Sequence, residues 1–331
     1  MDQLRIGVIG VGHLGSLHAK MLSGIPDVCL SGVYDIDGEK AARIAAEFKS
    51  AAFTDVDALV ASSDAVTIAT PTTTHAEVAR RAIEQGKHVF IEKPITQSVD
   101  EASALCSLAA RRGVIIQVGH IERFNPAILA LENYEIRPMF VESHRLAQFN
   151  PRGTDVAVVL DLMIHDIDII LSFVRSPVSH VDANGVAVVS ESVDIANARL
   201  QFENGCVANV TASRISQRKM RKMRLFQRNE YISIDFSEGQ SEVFRLIGDD
   251  EEPLAKGTLM LGELGSGKHK RRIVYEQPEV KEVNALRYEM ELFAGAIRGK
   301  TTPLVSGEDG KRALEVAQVI MNRISQQTVQ W

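Results

Sequence analysis

The chain has little cysteine: Cys29, Cys106 and Cys206 are the only three in 331 residues. They are widely separated and form no ligand-spaced pair. Neither a disulfide framework nor a zinc or other metal site is expected, and a reducing cytoplasm fits. Long uncharged stretches are also missing; none reaches the roughly eighteen apolar residues of a membrane span, so no membrane partner is expected. The first residues lead straight into a strand pattern, without the regions of a secretion signal. Excess positive charge is lacking too. The formal net charge of −6 argues against nucleic acid as the main partner. Internal repeats and low-complexity segments are absent. What is present, 45% hydrophobic and 24% charged residues, is an ordinary globular composition with length enough for two cores.

The most informative segment is Gly10-Val11-Gly12-His13-Leu14-Gly15, directly after the apolar run 4–9. A buried strand runs into a Gly-rich turn and then into a helix beginning near His13. Gly10 permits the tight turn, Gly12 lets backbone approach a pyrophosphate, and Gly15 lets helix and strand pack closely. The helix start at His13 and Leu14 offers unpaired N–H groups and a positive dipole end. The next strand ends in Asp35, twenty residues past Gly15. A carboxylate there accepts ribose hydroxyls and repels a 2′-phosphate, which favours NAD over NADP. The alternative is a Gly-rich turn of some other α/β protein, with Asp35 a solvated turn residue.

Up to residue 120, short apolar runs alternate with helical stretches. This predicts a Rossmann-type α/β domain, a doubly wound parallel sheet spanning 1–120. Ser98 with Glu101 reads as a capping box for a helix over 98–112. From 121 to 331 the pattern changes. A strand over 140–148 and a long amphipathic helix over 156–174 are expected. Strands near 179–189, 195–202, 207–214, 223–226, 231–235 and 241–246 follow, then terminal helices over 285–298 and 309–326. That is an α+β domain with a large, mostly antiparallel open sheet. Residues 263–272, rich in Gly and Lys, read as a loop.

Three further groups carry chemistry. Thr70-Pro71, followed by His75, and Glu92-Lys93-Pro94 each follow a parallel strand, at the edge where open α/β sheets bind ligands. Asp161 and His165, four apart, share one helical face, which Asp168 continues. The alternatives are a polar stripe for Asp161 and His165, a strand-end surface lysine for Lys93, and a helix cap for His75. His13 and His18 are read as serving their helix.

The Gly-rich start, Ala69-Thr70-Pro71 with His75, Glu92-Lys93-Pro94, and Asp161 with His165 occur in an order that resembles the Gfo/Idh/MocA oxidoreductase family over essentially the whole chain. The resemblance implies an NAD-dependent dehydrogenase acting on a CH–OH group, with Lys93 and His165 flanking the carbon that exchanges hydride and Asp161 beside them. A His suits the base role near neutral pH. A Lys ammonium can stabilise the developing oxyanion, or act as the base if burial lowers its pKa. Where many members carry glycines before the Asp, this chain has residues 156–160, Val-Ala-Val-Val-Leu, which is expected to narrow the space near the substrate. The stretch around Glu122, Arg123 and Asn125, with Arg123 and Asn125 expected to contact substrate, looks most like the nucleotide-sugar branch, whose members include UDP-N-acetylglucosamine 3-dehydrogenases feeding polysaccharide or lipid synthesis. A diphosphate needs cations, and Arg145, Arg152 and the basic run Arg214, Arg218, Lys219, Arg221, Lys222 and Arg224 are candidates, with a solvated strand face as the alternative. Competing functions are a free-sugar or inositol dehydrogenase and a non-catalytic NAD-binding sensor. The sparsely covered sheet predicts a homodimer or homotetramer.

Overall fold

Strands that read as near-continuous apolar runs need cover on both faces, and helices between them supply it. The computed structural model describes residues 3–150, 156–248, 251–265 and 270–326. Its first part runs β1 (Leu4–Ile9), α1 (His13–Ser23), β2 (Val28–Tyr34), α2 (Gly38–Glu47), β3 (Ala52–Phe53), α3 (Val56–Ser62), β4 (Ala65–Ile68), α4 (Thr72–Glu84), β5 (His88–Glu92), α5 (Val99–Arg112) and β6 (Ile116–Gly119). The six strands pair in parallel in the order β3-β2-β1-β4-β5-β6. The order reverses between β1 and β4, and that switch point is where such sheets open a ligand crevice beyond their carboxyl ends. The expected capping box is present: Ser98 Oγ accepts from Glu101 N, and the Glu101 side chain accepts from Ser98 N.

The second sheet has nine strands, preceded by the one-turn helix α6 (Pro126–Leu129). They are β7 (Phe140–Leu146), β8 (Val178–Val186), β9 (Ile195–Phe202), β10 (Val207–Ser213), β11 (Met220–Gln227), β12 (Glu230–Asp235), β13 (Gln240–Gly248), β14 (Leu259–Leu264) and β15 (Arg271–Glu276). Their order is β14-β15-β13-β12-β11-β7-β10-β9-β8, and every pairing is antiparallel except β7 with β10. Alternating residues such as Val141, Ser143 and Arg145 of β7 point into the covered face. A π-helical turn, Val159–Met163, and α7 (Ile164–Val174) pack on β10, and α7 also meets β7.

Three expectations are corrected here. The helix expected over 156–174 starts at Val159 with the π turn. It is not amphipathic, because Ile164, Asp166, Ile167, Asp168, Ile169, Ile170 and Leu171 are all buried. Val158 and Val159, within the expected helix, are fully buried and anchor this segment in the core. The loop expected over 263–272 is shorter at both ends, where 263–264 and 271–272 belong to the paired strands β14 and β15, and its residues 266–269 lie outside the described residues.

The chain divides into two compact units, 1–121 with 284–314, and 122–283 with 315–331. The segment 284–314 was expected in the second domain but groups with the first. The reason is its packing. In α8 (Ala285–Ile297), Met290, Phe293 and Ala294 join the core of Ile6, Val8, Leu22 and Phe90. Val118 N donates to Val305 O at 3.0 Å, and Gln117 Nε2 donates to Glu289 O at 3.2 Å. The final helix, α9 (Gly307–Gln326), contributes residues to both units.

Candidate active site

In the first unit, the β1–α1 turn is shaped by two glycines that the protein needs for its own packing. Gly10 has φ +84°, and a Cβ there would lie 2.9 Å from the Ala69 backbone. A Cβ on Gly15 would lie 1.7 Å from Gly10 O. Gly12 differs: a Cβ there meets nothing within 4 Å. Its space is open, as a turn that admits a pyrophosphate requires, so the residues present fit the dinucleotide. The N-terminus of α1 has no side-chain cap and no acidic residue in its first turn, and His13 and Leu14 are exposed there. Its N–H groups and dipole are therefore available to an anion. Asp35 stands where expected. One carboxylate oxygen accepts from Val11 N at 2.8 Å and the other from Asp37 N at 3.0 Å. A carboxylate has further lone pairs for ribose hydroxyls.

Beyond β4 and β5, Thr74 Oγ1 donates to Thr70 Oγ1 at 2.8 Å, and Pro71 precedes α4. His75 is buried, with Nδ1 2.9 Å from Pro94 O and Nε2 2.9 Å from Thr70 O. Both ring nitrogens thus face backbone oxygens, so this side chain ties the two turns together and is not turned toward a cofactor. Lys93 is half-buried, and its bond to Pro94 is cis. Glu92 Oε1 lies 3.0 Å from Nε2 of the fully buried His18, and Oε2 accepts from Lys93 N at 3.3 Å. His18 was read only as a helix residue. Its partnership with Glu92 spans 74 positions, and no local pattern announces it.

In the second unit, buried acids and half-buried groups separate along one segment. Asp166 and Asp168 are inward and paired. Arg145 donates to Asp166 at 2.8 and 3.1 Å and to Glu122 at 2.8 Å. Burial opposes the Arg145 charge, but Asp166 and Glu122 outweigh it and raise its pKa above the ordinary arginine value. Arg123 grips Asp168 through two bonds, of 2.6 and 2.7 Å. Asp168 therefore does not continue the Asp161–His165 face. Asp161 and His165 themselves are half-buried and lie on either side of the π–α junction. π turns of this kind recur at functional sites.

Several expected substrate contacts have internal partners instead. Arg123 and Arg145 are held as above. Asn125 caps α6 by accepting from Ala127 N, and its amide donates to Phe236 O and Glu122. Arg152 lies outside the described residues. In the basic run, Arg214 is buried, Arg221 lies 3.5 Å from Glu122, Lys222 3.0 Å from Asp235 and Arg224 3.5 Å from Glu142. Arg218 and Lys219 are exposed and have no partner among the described residues. A cleft of about 820 Å³ in the second unit, between residues 134–139, 173–175 and 204–206, is lined by none of the expected site residues. Among the described residues there is no metal-ligating cluster and no helix long and apolar enough to cross a membrane.

A parallel sheet of order 3-2-1-4-5-6 with an open Gly-rich turn after its first strand defines the class of dinucleotide-binding proteins. The profile of the oxidoreductase family with an NAD-binding Rossmann fold, Gfo/Idh/MocA, matches residues 4–120, and that of its C-terminal domain matches residues 138–240. The chain belongs to this family. It is 39% identical over 318 residues, 96% of each chain, to the UDP-N-acetylglucosamine 3-dehydrogenase of Acidithiobacillus ferrooxidans. A solved structure of that organism's UDP-N-acetylglucosamine 3-dehydrogenase GnnA matches with a TM-score of 0.87 at 37% identity, covering 98% of this chain and 99% of that one. The scyllo-inositol 2-dehydrogenase (NAD(+)) of Bacillus subtilis is 31% identical over 233 residues, 65% of this chain and 68% of that one. The protein is an oxidoreductase of this family.

Proposed function

We propose that the protein oxidises the 3-hydroxyl of a UDP-N-acetylhexosamine with NAD. The observation that carries this reading is the similarity, over 96% of both chains, to an enzyme of that activity. The turn at Gly10, Gly12 and Gly15, the α1 start at His13 and Leu14, Asp35, Thr70 and Pro71 would hold the dinucleotide. Asp35 supports NAD over NADP, because its carboxylate would repel a 2′-phosphate. Bound NAD supplies the hydride acceptor. His165 takes the hydroxyl proton, Asp161 orients it, and the Lys93 ammonium stabilises negative charge developing on the oxygen. Arg218 and Lys219, exposed and without a partner among the described residues, are the residues of the basic run best suited to a diphosphate.

The similarity to an inositol dehydrogenase keeps free polyols as the second reading. Absorbance of reduced nicotinamide, scanned with NAD and a panel of UDP-hexoses, free sugars and inositols, decides between them. Reduction with a UDP-N-acetylhexosamine is expected; reduction only with free polyols overturns the nucleotide-sugar reading. Near-normal turnover in both Lys93→Ala and His165→Ala would instead indicate that neither residue carries the chemistry.

The protein is further proposed to be a homodimer or homotetramer through the open sheet. Phe140, Phe226, Tyr231, Phe244 and Tyr275 stack across five neighbouring strands, with ring centroids 5.0 to 5.9 Å apart. Phe226 is 37% exposed and Leu259, next in register to Tyr275, is 57% exposed. An apolar band of this length calls for cover, and a second copy supplies the same band. Light scattering should give a dimer or tetramer at micromolar concentration, and a monomer refutes this.

A further inference from the structure

The residues that begin the Asp161–His165 segment are held by a side chain distant in sequence. Asp194 sits between β8 and β9 and is fully buried. Its Oδ2 accepts from three successive backbone amides, Val188 N at 2.7 Å, Val189 N at 2.7 Å and Ser190 N at 3.0 Å. Oδ1 accepts from Ser190 Oγ at 2.6 Å. Its backbone is fixed as well: Asp194 N donates to Val186 O at 2.9 Å, and Asp194 O accepts from Arg214 N at 3.0 Å.

Two grips extend from this point. Val193 O, adjacent to Asp194, accepts from Val158 N at 3.1 Å. The Arg214 guanidinium, 4.0 Å from the Asp194 carboxylate, donates to Val156 O. Residues 156 and 158 flank Ala157, whose carbonyl accepts from Asp161 N at 3.1 Å. The path from Asp194, through its chain neighbour Val193 and through the Arg214 guanidinium, thus ends on the backbone of Asp161, one turn before His165.

We propose that Asp194, acting through Arg214 and Val193, is a positioning residue that sets the placement of Asp161 and His165 for hydride transfer. The proposal rests on reading Asp161 and His165 as groups of the reaction. It goes beyond that reading in assigning their alignment to a β8–β9 loop residue. Asp194 touches neither substrate nor cofactor in this role. Its effect is geometric, and misplacement of reacting groups by about 1 Å can cost about a hundredfold in rate.

The test uses Asp194→Ala, Asp194→Asn, Arg214→Met and Arg214→Lys in the full chain, with UDP-N-acetylglucosamine and NAD as probes. An asparagine oxygen can still accept the three amides, so Asp194→Asn is the conservative variant. Asp194→Ala and Arg214→Met should lower kcat about a hundredfold while KM for NAD stays unchanged. Asp194→Asn and Arg214→Lys should each recover most of that loss. The primary deuterium isotope effect on kcat, with deuterium on the oxidised carbon, should rise in the impaired variants as the chemical step becomes limiting. If Asp194→Ala does not fold, the Arg214 pair decides. The proposal is overturned if Arg214→Met keeps kcat within about twofold of the parent, if kcat falls without a rise in the isotope effect, or if NAD affinity falls in parallel. His165→Ala runs alongside: normal turnover in that variant refutes the underlying reading of the site.

Discussion

The β1–α1 turn makes opposite demands on two glycines of one motif, and this can be tested with single methyl groups. For Gly15→Ala, the new Cβ lies 1.7 Å from Gly10 O, a backbone atom that no rotamer change can move. Reaching even a 3.0 Å contact requires about 1.3 Å of backbone displacement. Overpacking of this kind costs about 3 kcal/mol, or about 6 to 12 °C in Tm at roughly 2 to 4 °C per kcal/mol for a unit of this size. For Gly12→Ala, nothing lies within 4 Å and φ is −64°, which alanine adopts without strain. The small N-cap penalty of alanine and the loss of glycine's unfolded-state entropy nearly cancel, so stability should change by less than about 1 kcal/mol. NAD affinity should nevertheless fall at least about tenfold, roughly 1.4 kcal/mol, because the methyl occupies the space left for the pyrophosphate. Thermal melts of the protein without added NAD and a fluorescence titration with NAD read the two effects separately. Parental NAD affinity in Gly12→Ala would refute pyrophosphate binding at this turn. A parental Tm in Gly15→Ala would refute the close approach of α1 to the turn.

Arg145→Met leaves Asp166 buried without its cation and Glu122 with Arg221 alone, and should lower unfolding stability by about 3 to 5 kcal/mol in urea titrations; an unchanged midpoint would show that the Arg145–Asp166 pair carries no stability. At Asp194, burial opposes ionisation, but bonds from Ser190 Oγ and the amides of Val189, Val188 and Ser190 outweigh it and hold the carboxyl at about 2, against 3.8 for an ordinary Asp. The folded value is depressed, so the stabilisation of about 2 kcal/mol is present above 3.8 and lost as pH falls toward 2; acid titration of stability should show this component in the parent and not in Asp194→Asn. Burial lowers the pKa of His88 below 6.5, and its Nδ1 accepts from Ile115 N at 3.0 Å. Its contribution is therefore present above 6.5 and is lost as pH falls below that toward the folded value. His88→Asn should flatten this limb of the stability–pH curve, and an equally steep limb would refute the assignment.

What the sequence discloses here depends on how local the determining physics is. The first sheet was readable because each strand is a short run buried on both faces, bounded by turn and capping residues a few positions away; Ser98 and Glu101 form their box as expected. β14 was not readable for the converse reason. It is an edge strand, almost wholly exposed, with a bulge between Met260 and Gly262, so no period-two alternation marks it. The site divides the same way. Gly10, Gly12, Gly15, Asp35, Glu92 and Lys93 lie at or just past strand ends and could be found by counting residues. Arg145 with Asp166, Arg123 with Asp168, and His18 with Glu92 join positions 21, 45 and 74 apart, and a sequence read along its length offers only the separate residues. Arg123 and Arg145 read as candidate substrate ligands because an unpaired arginine and a buried, paired one have the same letter. Only the fold shows which cations are already neutralised, and within the basic run 214–224 Arg218 and Lys219 are the ones with no partner among the described residues.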